Sequence, residues 1–216
     1  MMTIAIDGPG GAGKSTIAKL LSKELGMEYI DTGAMYRAVG YKAARDGVDT
    51  DSEDAVEAML ADTDIDFVKG DIILDGEVVS DLIRTPEMSM MASKVSAIPS
   101  VRKKLVALQR GMGTAKEIVM DGRDIGTNVL PDAPVKIYLN ASPEVRAKRR
   151  FDELTAKGET VAFEDVLNEM IERDRNDMTR DLDPLRKADD AIEIDTSDMT
   201  IEEVVGAIKN IVSTAD

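Results

Sequence analysis

Short apolar runs alternate with helix-periodic stretches along most of this chain. Thr3-Ile4-Ala5-Ile6, Met27 to Ile30, Glu117 to Met120, Val135 to Leu139 and Ala191 to Ile194 read as strands, Glu117 to Met120 as a buried one. Between them the apolar spacing widens to the helical period. Ile17, Leu20, Leu21 and Leu25 share one face of a predicted helix over 16–25, which Gly26 ends. Asp31-Thr32-Gly33 opens a second helix that runs to about Arg45. Thr50 and Glu53 have capping-box spacing for a helix ending near Ala61. Thr85-Pro86 starts another, and Pro99 divides it from a helix over Val101 to Arg110 that Gly111 and Gly113 stop. Ser142-Pro143-Glu144 caps the helix after the fourth run, and Thr200 with Glu203 caps a last one that buries Val204, Val205, Ile208 and Ile211.

Residues 67–79 break the alternation. Phe67-Val68, Ile72-Ile73-Leu74 and Val78-Val79 are separated by Lys69-Gly70-Asp71 and Asp75-Gly76, the pattern of a small antiparallel hairpin inserted in a βα chain. Strands that alternate with helices predict an α/β fold, a parallel five-stranded sheet covered on both faces, hence three layers. Ligands of such sheets bind at the carboxyl ends of the strands. Asp7, Asp31, Asp121, Asn140 and Asp195 fall just past the apolar runs, so this topology gathers several carboxylates around one cleft.

The link from the first strand to the first helix is Gly8-Pro9-Gly10-Gly11-Ala12-Gly13-Lys14-Ser15, followed by Thr16. The spacing is the complete form of a phosphate-binding loop (P-loop), in its strand–loop–helix context. Backbone N–H groups can wrap phosphate oxygens only where no Cβ blocks the approach, which explains the glycines. The Lys14 ammonium suits the β- and γ-phosphates of a nucleoside triphosphate, and the Ser15 hydroxyl suits Mg²⁺. A plain glycine-rich turn is the alternative reading of the same residues.

Composition narrows the chemistry further. The chain has 216 residues, enough for one domain with small insertions, with 43% hydrophobic and 32% charged residues. No apolar run approaches the ~20 residues needed to span a bilayer. The apolar start is interrupted by Asp7, so no leader is expected, and a cytoplasmic location follows by default. There is no cysteine and no histidine, which excludes disulfides, thiol nucleophiles, Cys/His zinc sites and imidazole catalysis. Phosphoryl transfer works without those groups, because it depends on positioning and charge stabilisation. A net charge of −15 argues against nucleic-acid binding. Positive charge is concentrated instead, with Arg146, Lys148, Arg149 and Arg150 close together.

Three further constellations bear on phosphate chemistry. Thr32 and Arg37, at a predicted helix start and its next turn, form either a phosphate grip or a capped helix with a surface arginine. Asp121-Gly122-Arg123-Asp124 follows the third strand, either as a turn or as the strand-end acid that handles Mg²⁺ in P-loop enzymes. Arg173, Asp177 and Arg180 are spaced for one helical face, as a solvated ion-pair stripe or as part of a site.

Taken together, GPGGAGKST (8–16), DTGAMYR (31–37), ASKVSAIPSVR (92–102), DGRDIGT (121–127), PDAPVKIYL (131–139) and ERDRNDMTRDLDPL (172–185) resemble the bacterial-type cytidylate kinases, in that family's order. The resemblance implies a single P-loop kinase domain, with a core of about 1–31, 100–145 and 181–216. A monophosphate-binding insert of about 32–99 would contain the hairpin, and a short mobile lid would cover about 146–180. It implies transfer of the γ-phosphate of MgATP to CMP or dCMP, with Lys14, Arg123 and Arg180 stabilising the transferring group. ATP would lie on Gly8, Pro9, Gly10, Gly11, Ala12, Gly13, Lys14, Ser15 and Thr16, with Arg149 and Arg150 closing over it and Ser15 holding Mg²⁺. Thr32, Arg37, Arg123 and Arg180 would hold the acceptor phosphate. Ser93, Arg102 and Asp124 would read the cytosine edge, and Arg173 and Asp177 the sugar. Small nucleotides are then the partners, with no nucleic acid and no membrane, and a monomer is expected. The alternatives left open are another P-loop kinase, acting on AMP, UMP, shikimate or dephospho-coenzyme A, and a non-enzymatic nucleotide switch.

Overall fold

The computed structural model describes residues 2–68 and 70–215; Met1, Lys69 and Asp216 lie outside it, so the turn expected at Lys69-Gly70-Asp71 is described at its last two residues only. Five strands, β1 (Thr3–Asp7), β2 (Glu28–Asp31), β6 (Ile118–Gly122), β7 (Val135–Asn140) and β8 (Ile192–Asp195), form one parallel sheet in the order β2-β6-β1-β7-β8. The central β1, β6 and β7 are almost wholly buried, as continuous apolar runs require in a sheet covered on both faces. One apolar cluster joins β1 and β7 to α1 (Lys14–Leu25) and α8 (Ile201–Ala215). A second, on Ala5, Ile30, Ile118 and Met120, packs against Val106 of α5 (Pro99–Ala115) and a π-helical turn at Ile125–Val129.

The stretch 32–105 gathers a cluster of its own. It contains α2 (Thr32–Arg45), α3 (Glu53–Ala61) and α4 (Pro86–Ser96), with the small antiparallel sheet β3 (Ile65–Val68), β4 (Asp71–Leu74) and β5 (Glu77–Val78). The expected hairpin is therefore three-stranded, because Asp75-Gly76 turns β4 straight back into β5. α6 (Pro143–Ala156) and α7 (Phe163–Thr179) form a helical hairpin around Ala147, Leu154 and Val166, with Phe151 and Phe163 edge to face at 6.1 Å.

Three local expectations are corrected. The N-cap of α3 is Ser52, whose hydroxyl accepts from Ala55 N–H, not Thr50. α5 runs through Gly111 and Gly113 to Ala115, because tertiary packing overrides glycine's weak helix propensity. A Cβ at Gly113 would lie 2.5 Å from Leu130 Cδ2, so that glycine permits close packing rather than ending the helix. α7 stops at Thr179, and Arg180 is extended (φ −62°, ψ 145°), so the helical face expected to carry Arg180 ends before it. The caps at Thr85, Ser142 and Thr200/Glu203 are as read.

Candidate active site

The loop between β1 and α1 lies at the carboxyl edge of the central strand. Gly8 has φ +147°, and a Cβ there would come within 1.9 Å of the Leu139 carbonyl oxygen on β7, so no other residue fits. Gly13 (φ +91°) stands at the N-cap of α1 and offers no side-chain cap, which leaves the first N–H groups of the helix for an anion. Lys14 is buried, and its Nζ donates to the Pro9 carbonyl at 2.8 Å. Burial pushes the Lys14 ammonium well below the usual lysine range, and the Arg123 guanidinium adds to the shift. A helix N-terminus, a buried ammonium and a glycine cradle together form a setting that suits an anion.

Asp121 is buried at the end of β6. Its carboxylate accepts from Ser15 Oγ at 2.9 Å and from Tyr29 Oη at 2.8 Å, and its carbonyl accepts from Thr32 Oγ1 at 2.7 Å. Burial, followed by the nearby Asp31 carboxylate, raises the Asp121 carboxyl above its ordinary value. A raised carboxyl beside a hydroxyl is an all-oxygen donor set that an added cation would relieve, as a hard divalent ion requires. Asp31 caps α2 by accepting from Ala34 N–H and pairs with Arg37 at 3.0 Å, so the capping half of the reading is seen directly.

Behind this lies a lattice of buried charge. Arg123 donates from Nε to Asp177 at 2.8 Å. Burial raises the Asp177 carboxyl, but Arg123, with Arg173 and Arg180 adding to it, holds the group below the ordinary value. Arg102, 3% exposed, pairs through Nη2 with Asp124 and through Nε with Asp183 at 2.9 Å. Asp124 also accepts from Asn128 Nδ2 at 3.0 Å and faces Arg180 Nη2 at 3.4 Å. The Arg102 guanidinium sits 5.9 Å from the Tyr36 ring centroid. Burial lowers the Arg173 guanidinium to about 10, with Arg123 adding repulsion.

Among the described residues, Tyr36 Oη, Arg37 Nε, Arg102 Nη1 and Arg173 Nε are buried without a hydrogen-bond partner. Unpaired buried donors are rare in folded proteins.

The structure thus brings together Lys14, Ser15, Thr32, Arg37, Arg102, Arg123, Asp124, Arg173, Asp177 and Arg180. The remaining candidates are less closely drawn in. Arg149 donates to the Thr196 carbonyl at 2.6 Å, and Thr196 Oγ1 donates to the loop at Ala12 O, so Arg149 is tethered beside the loop. Arg150 is paired with Glu153 at 2.9 Å on α6. Ser93 is half-buried on α4, and among the described residues no side-chain hydrogen bond joins it to Arg102 or Asp124.

Two features of the site carry no motif. Arg146, 3% exposed, links the Gly10 carbonyl (2.9 Å) to Asp174 of α7 (2.6 Å), tying the loop to the helix that carries Arg173 and Asp177. In the sequence it is only one arginine of a basic cluster. Asp7 accepts the N–H groups of Ile125 (2.8 Å) and Gly126 (2.7 Å), anchoring the segment that presents Arg123 and Asp124.

Burial raises the Asp7 carboxyl from 3.8 to about 6, against those two hydrogen bonds, which lower it. The stability that its protonation contributes is fully present below the unfolded value of 3.8 and is lost as pH rises through about 6. Asp7→Asn does not titrate. Its stability relative to wild type is therefore expected to improve by up to about 3 kcal/mol between about pH 4 and about pH 7.5. Urea unfolding of both chains across that range checks this, and parallel curves would remove Asp7 as the source.

Comparison with known proteins gives the family. The family model described as cytidylate kinase matches residues 4–214. A cytidylate kinase of Carboxydothermus hydrogenoformans is 50% identical over 98% of this chain and 97% of its own length. One from Caldicellulosiruptor saccharolyticus is 53% identical over 94% of this chain and 92% of its own. Among solved structures, a gluconokinase from Sinorhizobium meliloti 1021 superposes with a TM-score of 0.52 at 13% identity, covering 99% of this chain and 93% of that one. A shikimate kinase from Acinetobacter baumannii gives 0.50 at 16% identity, covering 99% and 94%. At such low identity these two structures speak for the fold alone. The relatives at half identity, matched over nearly their whole length, carry the assignment: this chain belongs to the cytidylate kinase family.

Proposed function

We propose that this protein transfers the γ-phosphate of ATP to CMP or dCMP, forming ADP and CDP or dCDP. The observation that carries the reading is four of the buried donors without partners, Arg102 Nη1, Arg37 Nε, Arg173 Nε and Tyr36 Oη, with Arg102 itself buried. An anionic nucleotide supplies acceptors for donors of this kind.

The triphosphate rests on residues 8–16, with Lys14 against its terminal phosphates. Ser15, with Asp121 behind it, would hold Mg²⁺, whose chemistry when bound is to neutralise charge on the phosphate oxygens. Thr32, Arg37, Arg123 and Arg180 receive the acceptor phosphate, because planar guanidinium forks bind it bidentately and stay charged. The acceptor atom is a phosphate oxygen, already ionised at neutral pH, so no general base is needed in a chain without histidine. Asp124 accepts from the exocyclic amine of cytosine, and Ser93 and Arg102 bind the rest of that edge. Uracil presents an oxygen where cytosine presents the amine, and would face a carboxylate. Arg173 and Asp177 bind the sugar. The stretch 32–99 acts as the acceptor insert, 146–180 as the lid that carries Arg149 and Arg150, and closure excludes water as a competing acceptor.

The test is ADP release from MgATP in a coupled assay with CMP, dCMP, UMP, AMP, shikimate and no acceptor in parallel. CMP and dCMP are expected to stimulate strongly, and UMP and AMP weakly. Preference for another acceptor would discard the base-reading roles. A rate independent of acceptor would discard the kinase.

A further inference from the structure

Among the described residues only Asp75 and Asp183 hold a positive φ without being glycine. Asp75 belongs to the tight β4–β5 turn, where that conformation is ordinary. Asp183 (φ +45°) has no hairpin to explain it. It follows the end of α7, and the left-handed region is sterically disfavoured for any residue with a Cβ. Such outliers persist where surrounding contacts hold them, and here the contacts are specific. The Asp183 carboxylate accepts from Arg102 Nε at 2.9 Å. Its carbonyl accepts from Arg180 Nε at 2.9 Å and from Arg180 Nη2. Leu185 N–H donates to the Asp177 carbonyl at 2.8 Å, which folds the turn back on α7. One strained residue thus holds two guanidiniums, from α5 and from the end of α7.

Arg102 shows what this achieves. Its guanidinium is planar, and two of its edges are taken by carboxylates from different parts of the chain, Nη2 by Asp124 and Nε by Asp183. Two such anchors fix the plane, so the remaining nitrogen, Nη1, has a set direction. That nitrogen is the buried donor left without a partner. Without Asp183 the arginine would pivot about Asp124 alone.

We infer that Asp183 is a positioning residue for recognition of the acceptor base, presetting the Arg102 guanidinium through its side chain and Arg180 through its carbonyl. The inference rests on the reading of Arg102 and Asp124 as the base-reading pair. It assigns the order of this site to a residue that does not itself touch the nucleotide. The benefit is preorganisation, since a guanidinium already held in place loses less freedom when the base binds.

The test is steady-state kinetics and thermal unfolding of the full chain as wild type, Asp183→Gly, Asp183→Asn and Arg102→Lys. Glycine keeps the left-handed turn, and with it the carbonyl contact to Arg180, while removing the carboxylate. Asparagine tolerates the same turn and keeps an acceptor for Arg102 Nε. Asp183→Gly is expected to raise the KM for CMP about tenfold, with kcat and the KM for MgATP within about twofold of wild type, and Asp183→Asn to recover most of that loss. An unchanged KM for CMP in Asp183→Gly, while Arg102→Lys raises it, overturns the positioning role and leaves the base-site reading standing. If neither variant moves it, the base-site reading falls and the inference with it. A loss spread evenly over kcat and both KM values, or no recovery in Asp183→Asn, makes Asp183 a turn residue only. Should the glycine variant fail to fold, Asp183→Asn decides: a rise of about threefold in the KM for CMP alone supports the role, and no rise overturns it.

Discussion

Lys14→Met is expected to lower kcat by about a thousandfold while the folded state becomes no less stable at neutral pH. The two halves of that result have one origin. Lys14 is buried at the mouth of the glycine loop, its ammonium near the Arg123 and Arg173 guanidiniums, and its proton affinity is depressed by burial first and by that repulsion second. A folded value below the unfolded one means that protonating Lys14 opposes folding. The penalty is complete once pH falls below the folded value and absent above the unfolded value of 10.5. Methionine fills similar space without the charge, and the lost bond to the Pro9 carbonyl offsets part of the gain. Arriving phosphates would add counter-charge to that of Asp121 and Asp177, so the lysine that opposes folding would be the one that holds the bound phosphates. Initial-rate assays and thermal unfolding on the same preparations check both halves. A variant that is inactive and also much less stable would make Lys14 structural.

The second large effect is on selectivity. Asp124→Asn is expected to reduce the ratio of kcat/KM for CMP over UMP by about 10- to 100-fold, mostly through weaker CMP turnover and improved UMP turnover. The carboxylate can only accept, whereas the amide presents a donor to the uracil oxygen and lets the ring settle. Asp124 lies between Arg102 and Arg180, with Asn128 donating to it, so the amide must also keep those neighbours satisfied. Asparagine keeps one acceptor oxygen for them. Truncation to alanine would leave Nη2 of the Arg102 guanidinium, 3% exposed, without its partner and confuse folding with selectivity. Parallel kinetics with the two acceptors decide the matter. Equal losses for CMP and UMP would take Asp124 out of base discrimination.

Much of the frame is legible in the sequence. The strands sit where apolar runs predicted, because a sheet covered on both faces imposes continuous apolar sequence on its central strands. The loop was legible because positive φ and close backbone approach leave no room for a side chain, as Gly8 against the Leu139 carbonyl illustrates. The departures lie where a distant contact or a change of chain direction intervenes. Gly113 looks like a helix stop in sequence, but the contact that makes it useful within α5 is Leu130, seventeen positions on. Arg180 looks like the next turn of α7, yet the chain leaves the helix one residue earlier, into the turn centred on Asp183.

The sequence by itself determined the layered α/β plan, the anion-binding loop and the absence of imidazole or thiol chemistry, since each depends on residue type and spacing within a short segment. Tertiary structure alone decided which charges meet. The pairs Arg102–Asp183, Arg123–Asp177 and Arg146–Asp174 span 81, 54 and 28 positions. Periodicity has no reach over such separations, because an ion pair depends on where the folded backbone carries two side chains and on how far the surroundings exclude water. The same burial that set the directions for Lys14, Asp7 and Asp121 is a property of the packed interior, and no segment of the chain possesses it alone.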